Sequence, residues 1–210
     1  RLHSEAEAVA TSYEKELEKI RLELEEVREE LKRARKHIST LEERPALEQA
    51  ERVEDGVNLL LDQANLAAIA HHTYRRKVNF ASLLQYLSEG RRIVKAVAFV
   101  VDNGGPAFDA FCDVLRRAGW ELRIKKPKKF SDGTSKADWD MGIAMEALEY
   151  KDRAKHLVLV SGDGDFAPLI RRLQKSGQQV EVASFAEGLA GEAREAADRV
   201  ILLDQSALES

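Results

Sequence analysis

His156-Leu157-Val158-Leu159-Val160-Ser161-Gly162-Asp163-Gly164-Asp165-Phe166 decides the fold of this chain. Four apolar, mostly branched residues in a row, closed by a turn of two glycines and two acids, read as a short strand buried on both faces. From Phe166 the pattern changes period: Phe166, Leu169, Ile170 and Leu173 fall on one helical face, predicting a helix over 166–176. The same alternation extends in both directions. Upstream, strands are predicted over 56–61, ending at Asp62, over 93–101, ending at Asp102 before Gly104, Gly105 and Pro106, and over 120–124. Helices are predicted over 65–73, 79–87, 108–118 and 140–150, and downstream a strand over 179–183, a helix over 189–197 and a strand over 200–203. Near-continuous apolar strands alternating with helices predict an α/β fold, with a mostly parallel sheet covered on both faces. In such sheets ligands bind beyond the carboxyl ends of the strands.

Composition narrows the function classes. The 210 residues include 33 basic and 37 acidic side chains, a net charge of −4, which excludes a binder working by bulk positive charge. The longest apolar run, 93–101, is cut by Lys95 and falls short of the roughly 18 residues that a membrane helix needs. One cysteine excludes a disulfide scaffold or a thiolate cage and suits a reducing, cytoplasmic setting. The first residue is Arg1 and no signal peptide is visible, as expected of a fragment or a processed chain.

Residues 1–52 contain no Gly, Phe or Trp and are dense in Glu, Arg, Lys and Leu. Leu17, Ile20, Leu24, Val27, Leu31, Ala34, Ile38 and Leu41 repeat at spacings of three and four, the a and d positions of a coiled coil. Glu16, Glu23 and Glu30 fall at g, and Arg21, Arg28 and Arg35 at e, the pairing of a parallel homodimer. A lone helix and a higher oligomer are the alternatives. Pro45 ends the helix. The expected organisation is a coiled-coil helix over 1–44, a linker over 45–54 and one domain over 55–205.

The strand ends are acidic. Asp62 closes the first strand, Asp163 and Asp165 follow the fourth, and Asp138 and Asp140 open the helix between the third and fourth. Carboxylates gathered at one mouth repel one another unless a cation lies between them, and oxygen ligands without Cys or His suit Mg²⁺ or Mn²⁺. Gly162 and Gly164 are expected to let the backbone turn sharply between the two acids. Each acid also has a plain structural reading: Asp165 as the cap of the next helix, Asp138 or Asp140 as a cap, Asp62 and Asp102 as turn residues. His71 and His72 read as surface residues, and Cys112 as a small buried hydrophobe.

At these residues the chain resembles the NYN domains, the LabA-like branch of the PIN-like nucleases. The resemblance is carried by Leu61-Asp62-Gln63-Ala64-Asn65-Leu66, by Lys136-Ala137-Asp138-Trp139-Asp140, by 159–166 and by Val180-Glu181-Val182-Ala183-Ser184. It runs from about Val53 to Asp204. It implies a PIN-like Rossmannoid three-layer sandwich and an Mg²⁺- or Mn²⁺-dependent ribonuclease. Ala137 stands where the family has Gly. The family's second acid six residues on is matched by Glu146, which favours Asp140 over Asp138. Asp62, Asp140, Asp163 and Asp165 are the implied metal ligands, Asn65 and Ser161 would orient water or ligand, and Lys136 would touch phosphate.

Arg123, Lys125, Lys126, Lys128 and Lys129 form a basic run beyond the third strand. Phe130 and Trp139 are expected to offer stacking faces, so the expected substrate is single-stranded RNA held along the lysine loop. Two rival readings remain at this point: a Toprim-like or flap-like DNA nuclease, and a catalytically weak RNA-binding scaffold assembled by the coiled coil.

Overall fold

Leu59, Leu60 and Leu61 point to alternate faces of one strand, and all three are buried. Such a strand can lie only at the centre of a sheet covered on both sides. Each of these side chains contributes about 1.5–3 kcal/mol by leaving water. The computed structural model describes residues 2–42, 53–129, 135–136 and 138–209. The chain divides into two units, Arg1–Pro45 and Ala46–Ser210.

The first unit holds helix α1 (Leu2–Glu42). Leu17, Ile20, Leu24, Val27 and Leu31 are all exposed along it. Glu18–Arg21 and Glu29–Lys32 pair along its surface. The side chains of Ile38 and Leu41 lie outside the described residues.

The second unit runs β1 (Val53–Asp62), α2 (Gln63–Tyr74), α3 (Phe80–Ser88), β2 (Arg92–Val101), α4 (Pro106–Arg117) and β3 (Glu121–Lys125). It continues with β4 (Lys128–Lys129), β5 (Ser135–Lys136), α5 (Asp140–Tyr150), β6 (Ala154–Val160), α6 (Ala167–Lys175), β7 (Gln179–Phe185), α7 (Gly191–Ala196) and β8 (Arg199–Leu203). Six strands form one sheet in the order β3-β2-β1-β6-β7-β8, and every pairing in it is parallel. The lysine segment, expected as a loop, contains a two-stranded antiparallel ribbon, β4 with β5.

Two apolar cores flank the sheet. One joins strand residues such as Leu59, Leu61 and Ala98 to Leu66 of α2, Leu83 of α3 and Leu115 of α4. The other joins Leu60, Phe99 and Leu159 to Ile143 of α5, Ile170 of α6 and Ala196 of α7. The result is the expected three-layer α/β sandwich, with a sheet that is wholly parallel. Among the described residues no helix is long and apolar enough to cross a membrane.

The strand order fixes where chemistry can sit. From β1 the chain steps outward to β2 and β3, crosses back through α5, and then builds β6, β7 and β8 on the other side. The reversal lies between β1 and β6, so the crevice of this sheet opens at their carboxyl ends.

Candidate active site

Leu61 of β1 stands opposite Val160 of β6 in register, so Asp62 and Ser161, the next residues along each strand, sit side by side. The cleft above them, about 210 Å³, is lined by Asp62, Ala64, Asn65, Val101, Asp138, Trp139, Asp140 and Asp163. Three segments distant in sequence thus bring four acids to one place. Asp165 is exposed and is not among the residues that line the cleft.

Asp62 is 8 % exposed. It caps α2, its carboxylate accepting the Asn65 N–H at 3.1 Å. Burial pushes its carboxyl up, and the Asp163 charge adds to that. The bonds from Asn65, Ser161 and Ala64 work the other way. Asp140 is the first residue of α5. Its carboxyl is raised to about 6, first by burial and then by the charges of Asp138, Asp163, Asp62 and Asp165 in that order. Every acid singled out in the sequence as a metal ligand is therefore felt by Asp140.

The loop between β6 and α6 is held by its own polar atoms. The Asp163 N–H donates to Ser161 Oγ at 3.3 Å, and the Asp165 N–H donates to Asp163 Oδ1 at 2.9 Å. The Gly162 N–H donates to Asn65 Oδ1 at 3.0 Å, so the Asn65 carbonyl oxygen is committed to the loop rather than to solvent. Asp163, not Asp165, is the capping acid: it starts a 3₁₀ turn at Gly164–Phe166, and the residue before α6 is Phe166. Likewise Trp139, with no side-chain cap, precedes α5, so neither Asp138 nor Asp140 serves as a cap. Gly162 and Gly164, expected to allow a sharp turn, are not in the left-handed region. Gly162 is needed for space, since a Cβ there would lie 1.9 Å from the Gly188 carbonyl oxygen, whereas one on Gly164 would meet nothing closer than 3.1 Å.

The geometry differs from expectation at Glu146, Arg123 and Trp139. Glu146 is not delivered to the cleft; it is bound by Arg123 through two bonds of 2.7 and 3.0 Å and approached by Lys95 at 3.6 Å. About one and two-thirds helical turns separate it from Asp140, which puts the two side chains on different faces of α5. Arg123 is thereby removed from the basic run. Trp139 does not present an open stacking face: its indole N–H donates to the Val100 carbonyl at 3.0 Å, and its ring leans on Phe99 with centroids 5.3 Å apart. Lys125 Nζ stands 4.9 Å from the centroid of the Trp139 ring. Asp102 turns onto the Gly104 N–H at 2.8 Å and does not line the cleft, in keeping with its reading as a turn residue.

Lys126 is exposed beside β3. The side chains of Lys128, Lys129 and Lys136, and Phe130 as a whole, lie outside the described residues. His71 and His72 are exposed in the last turn of α2, and Cys112 is buried. Ala64 and Val101, which also line the cleft, were not singled out. Val101 ends β2 at the same sheet edge, and the carboxyl-edge rule that pointed to Asp62 points to it as well.

The donor set is all oxygen, which suits a hard divalent cation. Among the described residues no three or more His, Cys, Asp or Glu side chains are grouped closely enough to hold a metal ion as they stand. The carboxyls of Asp62 and Asp140 are raised first by burial and then by the charges of neighbouring acids.

Residues 56–204 match the NYN domain family. Over 100 residues the chain is 32% identical to the low amplitude and bright protein LabA of Synechococcus elongatus. That stretch is 45% of this chain and 54% of LabA, so the match spans about half the length of this relative. The crystal structure of a protein of unknown function from Vibrio parahaemolyticus RIMD 2210633 has a TM-score of 0.70 to this chain at 26% identity. The likeness covers 76% of this chain and 99% of that one.

Proposed function

The chain belongs to the NYN domain family of PIN-like nucleases, and from this membership and the acidic cleft we propose that it is a cytoplasmic ribonuclease that hydrolyses RNA phosphodiester bonds with Mg²⁺ or Mn²⁺. The observation that carries the reading is the gathering of Asp62, Asp138, Asp140 and Asp163 from three distant segments in one cleft, where burial and the neighbouring acids raise the Asp140 carboxyl to about 6. A cation relieves that cost, whereas a purely structural cluster has no reason to keep it.

Asp62, Asp140 and Asp163, with Asp165, would hold the ion, and Asp138 lines the same cleft. When bound, the ion would supply a Lewis acid that lowers the pKa of a water and neutralises charge developing on the phosphate. The chain's own groups do the rest. Asn65 and Ser161 fix the Asp163 loop through the Gly162 and Asp163 N–H groups. Lys125, which stands 4.9 Å from the Trp139 ring centroid, would meet a phosphate leaving the site, and Lys126, Lys128, Lys129 and Lys136 would add the positive charge that holds single-stranded RNA. Exposed apolar positions at a and d of α1, flanked by Glu at g and Arg at e, support a parallel homodimer.

Labelled RNA and DNA incubated with Mn²⁺, with and without chelator, test the reading. RNA should be cleaved only with metal, and Asp163→Asn should abolish cleavage while the protein stays folded. Unchanged cleavage by purified Asp163→Asn overturns the assignment. Cleavage of DNA alone favours a DNA nuclease, and RNA binding without turnover favours a scaffold.

A further inference from the structure

Gly162, the residue before Asp163, is gripped from two sides. Its N–H donates to Asn65 Oδ1 on α2, and its carbonyl accepts the Ala190 N–H at 2.9 Å from the turn that follows β7. Its Cα lies against that same turn. A Cβ here would be 1.9 Å from the Gly188 carbonyl oxygen and 2.9 Å from Ser184 Oγ. The neighbour is backbone, so it cannot swing aside.

The turn in its own right is wedged against α2. A Cβ on Gly188 would lie 2.3, 2.5 and 2.9 Å from three carbons of the Ile69 side chain. The backbone of Gly188 is outside the left-handed region, so only this close approach calls for glycine. Tyr74, at the end of α2, donates its hydroxyl to Glu187 at 2.7 Å, and its ring packs on Phe185 with centroids 5.2 Å apart. The turn of residues 186–190 is thus fixed to α2 at one end and to the Asp163 loop at the other. Asp62 also caps α2, so one helix is tied both to the first acid and to the support of the third.

We propose that the 186–190 turn is the positioning element of Asp163, and that Gly188 sets its distance from α2 by leaving room for Ile69. This rests on the reading of Asp163 as part of the acidic site. None of these residues lines the cleft, and they act through Gly162. A methyl group at position 188 must push the turn off Ile69 or push α2 back. The first course moves Gly162 through the Ala190 bond and the Gly188 carbonyl, and the second moves Asp62 and Asn65. Either changes the separation of Asp62 and Asp163, on which a shared cation depends.

The test uses the full chain, isotope-labelled, with Mn²⁺ as the probe. Gly188→Ala should move the Gly162 and Asp163 amide resonances of the metal-free protein and weaken Mn²⁺ binding roughly tenfold, with cooperative unfolding retained. Adding Ile69→Ala makes room for the new methyl, and the double variant should return to within roughly threefold of the parental affinity. General loosening of the packing would be worsened by that second deletion, so recovery marks positioning. If Gly188→Ala does not fold, Ala190→Pro carries the test. Position 190 has φ −64° and Leu189 is extended, so proline fits the backbone and removes only the N–H bonded to Gly162. It should move the same resonances and weaken Mn²⁺ binding by a similar factor. Parental amide positions and parental affinity in the folded variants overturn the proposal. A parent chain that binds no Mn²⁺ refutes the metal reading alone, and the Gly162 and Asp163 resonances then decide whether the turn positions the loop.

Discussion

Replacing Asp140 by Asn should stabilise the metal-free protein at neutral pH and destroy its response to metal. An acid whose folded-state value lies above its unfolded one binds its proton more tightly when folded. Stability is then highest below about 4, the ordinary carboxyl range, and is lost as pH rises through about 6. The displacement from 3.8 to about 6 corresponds to at most about 3 kcal/mol. The side chain is only half-buried, and screening by solvent reduces the effect to about 1–2 kcal/mol. An acid in the first turn of a helix also gains about 0.3–1 kcal/mol from the helix dipole, which Asn gives up. The net gain is therefore about 1 kcal/mol, or an increase in melting temperature of roughly 2–4 °C for a chain of this size. Thermal unfolding from pH 4 to 7.5 in chelator should show the variant ahead at pH 7.5 and level with the parent at pH 4. With Mn²⁺ present the order should reverse, because only the parent gains binding energy. A parent that outlasts the variant at pH 7.5 without metal, or a gap that ignores pH, would refute the convergence of acids on Asp140.

Three other perturbations test other parts of the chain. Removing Lys125 and Lys126 together should flatten the salt dependence of RNA binding by roughly 0.7 log units for each phosphate no longer neutralised. Arg123→Met should leave that slope alone and instead cost on the order of 1 kcal/mol in stability, because it strips one partner from Glu146 while Lys95 remains; binding isotherms at several salt concentrations and chemical denaturation check the two arms. Charged residues at Leu24 and Leu31 should convert an elongated dimer to monomers with the NYN domain still folded. A monomer by light scattering in the parent chain would reject the pairing of α1.

Much of this protein was legible from local pattern. The strands around Leu59, Ala98, Leu159 and Val182 and the helices between them follow from apolar period alone, since burial on both faces leaves a continuous run and burial on one leaves a stripe. Asp62 and Asp163 were legible too, because a polar residue ending an apolar strand must lie at a sheet edge. What could not be read was every decision made by a distant neighbour. Nothing near Glu146 announces that Arg123 and Lys95 will hold it against the sheet, nor does Trp139 reveal that the Val100 carbonyl and Phe99 will take its ring. The glycine at 188 looks like any turn glycine until Ile69 is beside it. The sequence by itself determined which residues are buried and which segments end in acid, because hydrophobicity and backbone period act over a few residues. Only the tertiary structure decided that β1 lies between β2 and β6, and so that Asp62, Asp140 and Asp163 share one cleft. Strand order depends on pairings between residues as distant in the chain as Leu61 and Val160, which no local pattern records.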